Sequence, residues 1–173
     1  MTDGQWVGLS PHPWDEICYN LWMGGMYFGP QMTPCAPNLG DFDLVVNMAG
    51  RGDSGVTLVS EEVEQRNFYI EDDRLGPTEL ALVWEAYDIV KDSVLSGNKT
   101  LVRCRAGWNR SGLVAGLVVA TFLRQTGVFD SPYLELMNVV DLIREKRGPH
   151  ALSNEHFVGY IEDHIRSLHG RND

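Results

Sequence analysis

Long apolar runs are missing from this 173-residue chain: the longest nearly apolar stretch, residues 113–123, is too short to cross a bilayer. Basic residues are outnumbered, 14 Lys and Arg against 24 Asp and Glu, which leaves a formal net charge of −10. That balance disfavours broad binding to nucleic acid or to an anionic membrane surface, while leaving room for a small basic pocket. Cysteine is scarce. Cys18, Cys35 and Cys104 have no paired metal-type spacing, and an odd count fits a disulfide framework poorly. The simpler expectation is free thiols in a reducing compartment. The first residues hold Asp3, aromatics and prolines, with no basic segment leading into an apolar run. They do not read as a signal peptide, and a cytoplasmic protein is expected. Internal repeats and low-complexity tracts are missing too.

What is present is ordinary globular material. With 43% apolar and 22% charged residues, disorder over most of the length is excluded. The length suits one domain with its own core. The expected organisation is an irregular arm at 1–16, a single domain at 17–168 and a short tail at 169–173.

Residues 21–28 are apolar and broken by Gly24-Gly25, which predicts a strand pair with a tight turn. Residues 29–41 hold Pro30, Pro34 and Pro37 and read as a loop. Leu44-Val45-Val46, Phe68-Tyr69-Ile70 and Thr100-Leu101-Val102 have the composition of buried strands. Leu80, Val83, Trp84, Tyr87, Val90 and Val94 recur at helical spacing, predicting a helix over 78–95 that stops at Gly97. A second helix is expected over 110–125 with Gly127 as its stop. A third opens at Ser131-Pro132 and ends near Gly148-Pro149, and a fourth runs over 153–168. This order gives an α/β domain, a central mixed sheet flanked by several helices.

The chemistry concentrates in residues 104–110. A buried strand delivers Cys104, small residues Ala106 and Gly107 follow, and a helix begins at Arg110. Successive backbone N–H groups in such a loop converge, and the helix adds its unsatisfied N-terminal donors. Arg110 can hold two phosphate oxygens with its planar fork. A free thiol titrates near ~8.5. A helix N-terminus and neighbouring cations lower such values to about 3.5–7.5, which makes a sulfur so placed a nucleophile at phosphorus. Cys18 and Cys35 lack this setting and read as inert core thiols.

These residues carry a resemblance. Cys104, Gly107, Arg110 and Ser111 match the signature loop of the protein tyrosine phosphatase superfamily, and the chain resembles its small dual-specificity branch in particular. Asn20-Leu21-Trp22-Met23-Gly24 resembles that family's first strand and Val45-Val46-Asn47 its next. Ile143-Arg144, Arg147-Gly148-Pro149, Ala151-Leu152-Ser153-Asn154 and Phe157 resemble its C-terminal helices. The resemblance spans roughly residues 17–165. It implies the cysteine-dependent phosphatase fold and hydrolysis of phosphate monoesters through a phosphocysteine, with a phosphorylated protein or peptide as substrate and no metal or organic cofactor. It gives Ser111 the role of donating a hydrogen bond to the sulfur, and residues 105–109 the cradling of phosphate.

The family takes its general acid from an aspartate about 30 residues before the cysteine. Asp72 and Asp73 both stand there, after a predicted strand and before a helix. Asp72 is preferred and Asp73 is the alternative acid. Arg105 and Trp108 are the variable loop residues and would shape substrate choice. Trp108 either walls the pocket or packs on a neighbouring element. Arg105 is either a second anion contact or a solvated charge. Arg144, Lys146 and Arg147 read as a helix C-terminal charge cluster, and the five histidines as no ligand set. The chain departs from the family at Arg103, where histidine is usual. If buried, that guanidinium needs an acidic or carbonyl partner. The same chemistry on an RNA 5′-triphosphate or a phosphoinositide is the alternative, and an inactive phosphate-binding module the third reading. Sulfur transfer and arsenate reduction also use a cysteine loop, but the upstream aspartates and the C-terminal resemblance favour a phosphatase.

Overall fold

Among the described residues, seven strands and four helices follow one another in the order β1 (Trp14–Cys18), β2 (Leu21–Gly25), β3 (Tyr27–Phe28), β4 (Thr33–Pro34), β5 (Leu44–Asn47), β6 (Glu64–Asn67), α1 (Pro77–Leu95), β7 (Thr100–Cys104), α2 (Arg110–Thr126), α3 (Pro132–Arg147) and α4 (Glu155–His169). The structure is a computed structural model and describes residues 9–35, 41–50 and 63–170. Residues 1–8 of the expected arm, 36–40 of the expected loop and 171–173 of the expected tail lie outside the described residues. No described helix is long and apolar enough to cross a membrane.

The main sheet has five strands in the order β1-β2-β7-β5-β6. β1 runs antiparallel to β2, and the other neighbours pair in parallel. Side chains alternate across it as the pleat requires. Leu21, Met23, Leu44, Val46 and Val102 join a core built with all four helices, whereas Val45 and Leu101 face a smaller cluster with Phe42, Val63, Trp14 and Trp22. Helix α2 lies at the centre of the helical layer, with residues 110–120 all buried. Gly116 lets α4 come close: a Cβ there would stand 2.5 Å from Ile161 Cδ1. The parallel strands end together, since Gly25 pairs with Cys104 and Asn47 with Arg103 and Asn67. Sites in sheets of this kind form at that carboxyl edge.

Four expectations need correction. The partner of β2 is β1, drawn from residues read as an irregular arm. Its turn falls at Tyr19-Asn20, with Asn20 in the left-handed region at φ 60°. Gly24 and Gly25 are no turn; they end β2 where other backbone presses on it. The strand read at Phe68-Tyr69-Ile70 lies earlier, at the polar β6, and Tyr69 makes only an isolated bridge to Ala49. An edge strand tolerates charged residues such as Glu64 and Arg66, so apolar composition misplaced it. Within the expected proline loop, Thr33 and Pro34 pair with β3. The fourth helix runs through His169, the first residue of the expected tail.

That last turn closes a buried contact between a histidine and a carboxyl group. His169 Nε2 lies 2.7 Å from Glu135 Oε2, and the Glu135 side chain is 0% exposed. Glu135 stands in the first turn of α3 and His169 in the last turn of α4, the helix ends that favour an acidic and a basic side chain respectively. Removing the histidine leaves a buried carboxylate without its partner. His169→Ala should lose about 2 kcal/mol of unfolding free energy in urea. Glu135→Leu combined with His169→Ala should recover most of it. A loss below about 0.5 kcal/mol in the single variant would remove the pair from the stability account.

Candidate active site

The loop between β7 and α2 is shaped by what its carbonyls reach. Arg105 O accepts from Met26 N (2.8 Å), Gly107 O from Arg147 Nε (3.3 Å) and Trp108 O from Leu152 N (3.2 Å). In a trans peptide the next residue's N–H points the opposite way. Carbonyls drawn outward by the scaffold therefore turn the amides of Ala106, Trp108 and Asn109 toward the inside of the loop. That is an anion cradle, closed by the N-terminus of α2.

The cradle presses on β2. A Cβ on Gly25 would stand 2.8 Å from Ala106 C, and one on Gly107 would stand 2.6 Å from Gly24 C and 2.5 Å from Arg147 Nη2. Gly107 is also left-handed, at φ 71°. Both reasons demand glycine there.

Cys104 ends β7 with 3% of its surface exposed, and its Sγ lies 3.2 Å from the buried Ser111 Oγ in the first turn of α2. Arg110 is buried at the helix start, and its Nη1 donates to Ile70 O (3.4 Å). The other thiols differ. Burial, with Glu16 adding to it, pushes Cys18 up to about 11. Burial pushes Cys35 up to about 11 as well, against the pull of Arg103 and Arg147. At neutral pH both are protonated and poor nucleophiles.

The segment before α1 reaches over this loop. Glu79 holds both of its ends, accepting from Glu71 N (3.0 Å) and Gly76 N (3.1 Å). Those backbone donors, Glu71 first, hold the Glu79 carboxyl below its ordinary value. Leu75 N donates to Tyr160 OH of α4 (3.1 Å). Between these ties Asp72 faces the cradle. Its Oδ2 accepts from Asn109 Nδ2 (3.1 Å) and its Oδ1 from Asn154 Nδ2 (3.0 Å). Asp73 instead accepts from the neighbouring Arg74 N (2.7 Å), and both aspartates are exposed. The two asparagines are joined in turn, Asn109 Oδ1 accepting from Asn154 N (3.2 Å) and Ser153 Oγ (3.3 Å).

Arg103 is buried, and its Nε donates to Asn47 Oδ1, whose Nδ2 donates to Asn67 Oδ1 (2.7 Å). The carbonyl partner that burial demanded is thus a side-chain amide. Burial lowers the Arg103 pKa from arginine's ordinary value, opposed by Cys35. Trp108 is half-buried against the main core, and its ring lies 5.3 Å from that of His150. Arg105 is half-buried.

Asn154, Ser153, Asn47 and Arg147 were missed as site residues. Asn154 also caps α4, accepting from His156 N (3.1 Å), and a capping signal hid its second bond. Arg147 is no surface charge, since its side chain is 0% exposed.

Comparison with solved structures places this architecture. Human DUSP28 superposes with a TM-score of 0.68 at 19% identity, covering 94% of this chain and 99% of that one. OH1 from the Orf virus, a tyrosine phosphatase with triple substrate specificity, gives 0.63 at 18% identity, covering 96% and 92%. PTPMT1 in complex with PI(5)P gives 0.63 at 14% identity, covering 94% and 100%. No family model and no curated protein matches the chain by sequence. The chain has the fold of these small phosphatases.

Two left-handed glycines separate crowding from backbone freedom. Gly127, at φ 66°, has nothing within 4 Å of where a Cβ would sit. Gly127→Ala should cost about 1 kcal/mol in urea unfolding. Gly107→Ala should cost at least about 3 kcal/mol, because the overpacked loop adds to the same strain. Equal costs would show that the cradle does not press on β2 and Arg147.

Proposed function

We propose that this chain is a phosphatase that hydrolyses phosphate monoesters through a phosphocysteine on Cys104, with phosphotyrosine in a protein or peptide as its first substrate class and phosphoserine or phosphothreonine as further ones. The observation that carries the reading is the meeting of two loops: Cys104 beside Ser111 in an amide cradle, and Asp72 tied to that cradle through Asn109. The fold shared with OH1, a tyrosine phosphatase, supports it.

The chemistry follows in two steps. The Cys104 thiolate attacks phosphorus in line, and the bond from phosphorus to the ester oxygen breaks. Asp72 gives its proton to that leaving oxygen. A water then attacks the phosphocysteine and passes a proton to Asp72, while the sulfur–phosphorus bond breaks and the thiolate returns with a hydrogen bond from Ser111. Arg110 and the inward amides of 106, 108 and 109 balance the phosphoryl charge in both steps. Asn109 and Asn154 aim the Asp72 carboxyl. The reading calls on no metal or organic cofactor, and on a reducing, cytoplasmic setting in which Cys104 stays a thiol.

PTPMT1, solved with PI(5)P, supports a second reading, the same chemistry on a phosphoinositide. The overall acidity of the chain weighs against triphosphate-ended RNA.

Purified protein and Cys104→Ser should be compared on a phosphotyrosine peptide, a phosphoserine peptide, a phosphoinositide and triphosphate-ended RNA, with phosphate release as the readout. The phosphotyrosine peptide should be cleaved fastest and only by the protein with Cys104. No Cys104-dependent release from any of the four defeats the enzyme reading, and preference for the lipid selects the second one. Asp72→Ala should lower kcat by roughly 10²–10⁴-fold, and Asp73→Ala by less than about two-fold. The reverse ranking would transfer the acid role to Asp73.

A further inference from the structure

Beneath the cradle lies a charged pair that the proposed mechanism does not use. Arg147, at the end of α3, is fully buried, and its Nη1 lies 2.7 Å from Asp15 Oδ2 on β1, whose side chain is 16% exposed. The same Nη1 donates to His12 O (3.0 Å), and Nε donates to Gly107 O (3.3 Å). Asp15 Oδ2 also accepts from Ser10 Oγ (3.0 Å). One guanidinium therefore links the start of β1 to the underside of the loop.

A buried ion pair is seldom a good source of stability, because desolvation offsets most of the attraction. Its geometry points to another use. The carbonyl that Arg147 Nε holds belongs to the left-handed Gly107. That carbonyl shares a peptide plane with the N–H of Trp108, so fixing one outward fixes the other inward. Arg147 Nη2 fills the space where a side chain on residue 107 would stand, and so keeps the loop from relaxing downward. Asp15 sits on the side away from the loop, which leaves the cationic end of the pair facing the cradle.

We propose that Arg147, oriented by Asp15, is a positioning residue that sets oxyanion affinity from behind the loop. It holds the Gly107–Trp108 peptide in its anion-binding orientation and never touches the phosphate. The inference rests on the phosphate-site reading above, and its test does not need turnover.

The probe is tungstate, an unreactive tetrahedral oxyanion, titrated calorimetrically into full-length protein carrying Cys104→Ser. Adding Arg147→Met should weaken tungstate binding by about ten-fold or more, because a charge-assisted bond to the loop is lost. Arg147→Lys keeps the charge near Asp15 but cannot reach Gly107 O and His12 O together, so it should fall between, at about three-fold. Ile161→Ala, in the α2–α4 contact, lowers stability without touching the loop and should leave affinity within about two-fold. Arg147→Met binding within about two-fold of its parent overturns the proposal, as does an Ile161→Ala loss that tracks stability. If Arg147→Met does not fold, Arg147→Lys decides by the same two-fold limit. Arg147-dependent tungstate binding in a protein that releases no phosphate would defeat the hydrolase reading and leave this one standing. A parent that binds no tungstate overturns this one.

Discussion

The structure depends on one close approach, that of the 104–110 loop to the end of β2. Peptide groups of Ala106 and Gly107 lie against Gly24 and Gly25 with no room for a side chain between them. That contact determines which way the loop carbonyls can turn. Met26 N, Arg147 Nε and Leu152 N take three of them from outside, and the opposite faces of the same peptides gather amides inside. An anion site of this kind is made by the scaffold's donors as much as by the loop itself. The sheet order contributes by placing β7 between β2 and β5, so that the cysteine emerges where neighbours on both sides can hold the loop.

The second loop is placed by helix ends. Glu79, in the first turn of α1, takes amides from both ends of the 71–76 segment, and Tyr160 of α4 holds Leu75. Asn154 starts α4 and bonds Asp72, and Asn109 does so from the start of α2. Two helix N-termini and a capping carboxylate therefore converge on one aspartate. Their own unsatisfied groups bring polar side chains to these positions, and the Asp72 carboxyl is held by residues whose first duty is to begin a helix. Asp73, one residue on, accepts instead from its neighbour Arg74 N.

The helices, the central strands β5 and β7 and the 104–111 signature were legible in the sequence because each is written locally, in a 3.6-residue period, an apolar run or a fixed spacing. β1 and β6 were not. Trp14–Cys18 sets two adjacent acids among apolar residues after two prolines, and Glu64–Asn67 is polar throughout, so each is a strand only because a neighbour offers an edge. The same division runs through the site. Cys104, Arg110, Ser111 and Asp72 come with a spacing. Asn154, Asn47 and Arg147 bond to site residues 40 to 82 positions away along the chain, and no local pattern announces them. Gly24-Gly25 shows how a correct signal is misread: two glycines mark a turn or a close approach equally well, and only the partner backbone decides.

Arg103 brings these threads together. A chain with net charge −10 collects three buried arginines around one loop, at 103, 110 and 147. Each is treated differently. Arg147 has an acid, Asp15. Arg110 reaches a backbone carbonyl of the segment that carries Asp72. Arg103, where the resembling family has histidine, meets an amide chain through Asn47 and Asn67. A neutral amide satisfies the donor without cancelling the charge. Arginine, unlike histidine, does not lose its proton in the physiological range. The position before Cys104 therefore carries a permanent cation where histidine would titrate. Arg103 is bound by the Asn47 amide, which leaves its charge intact.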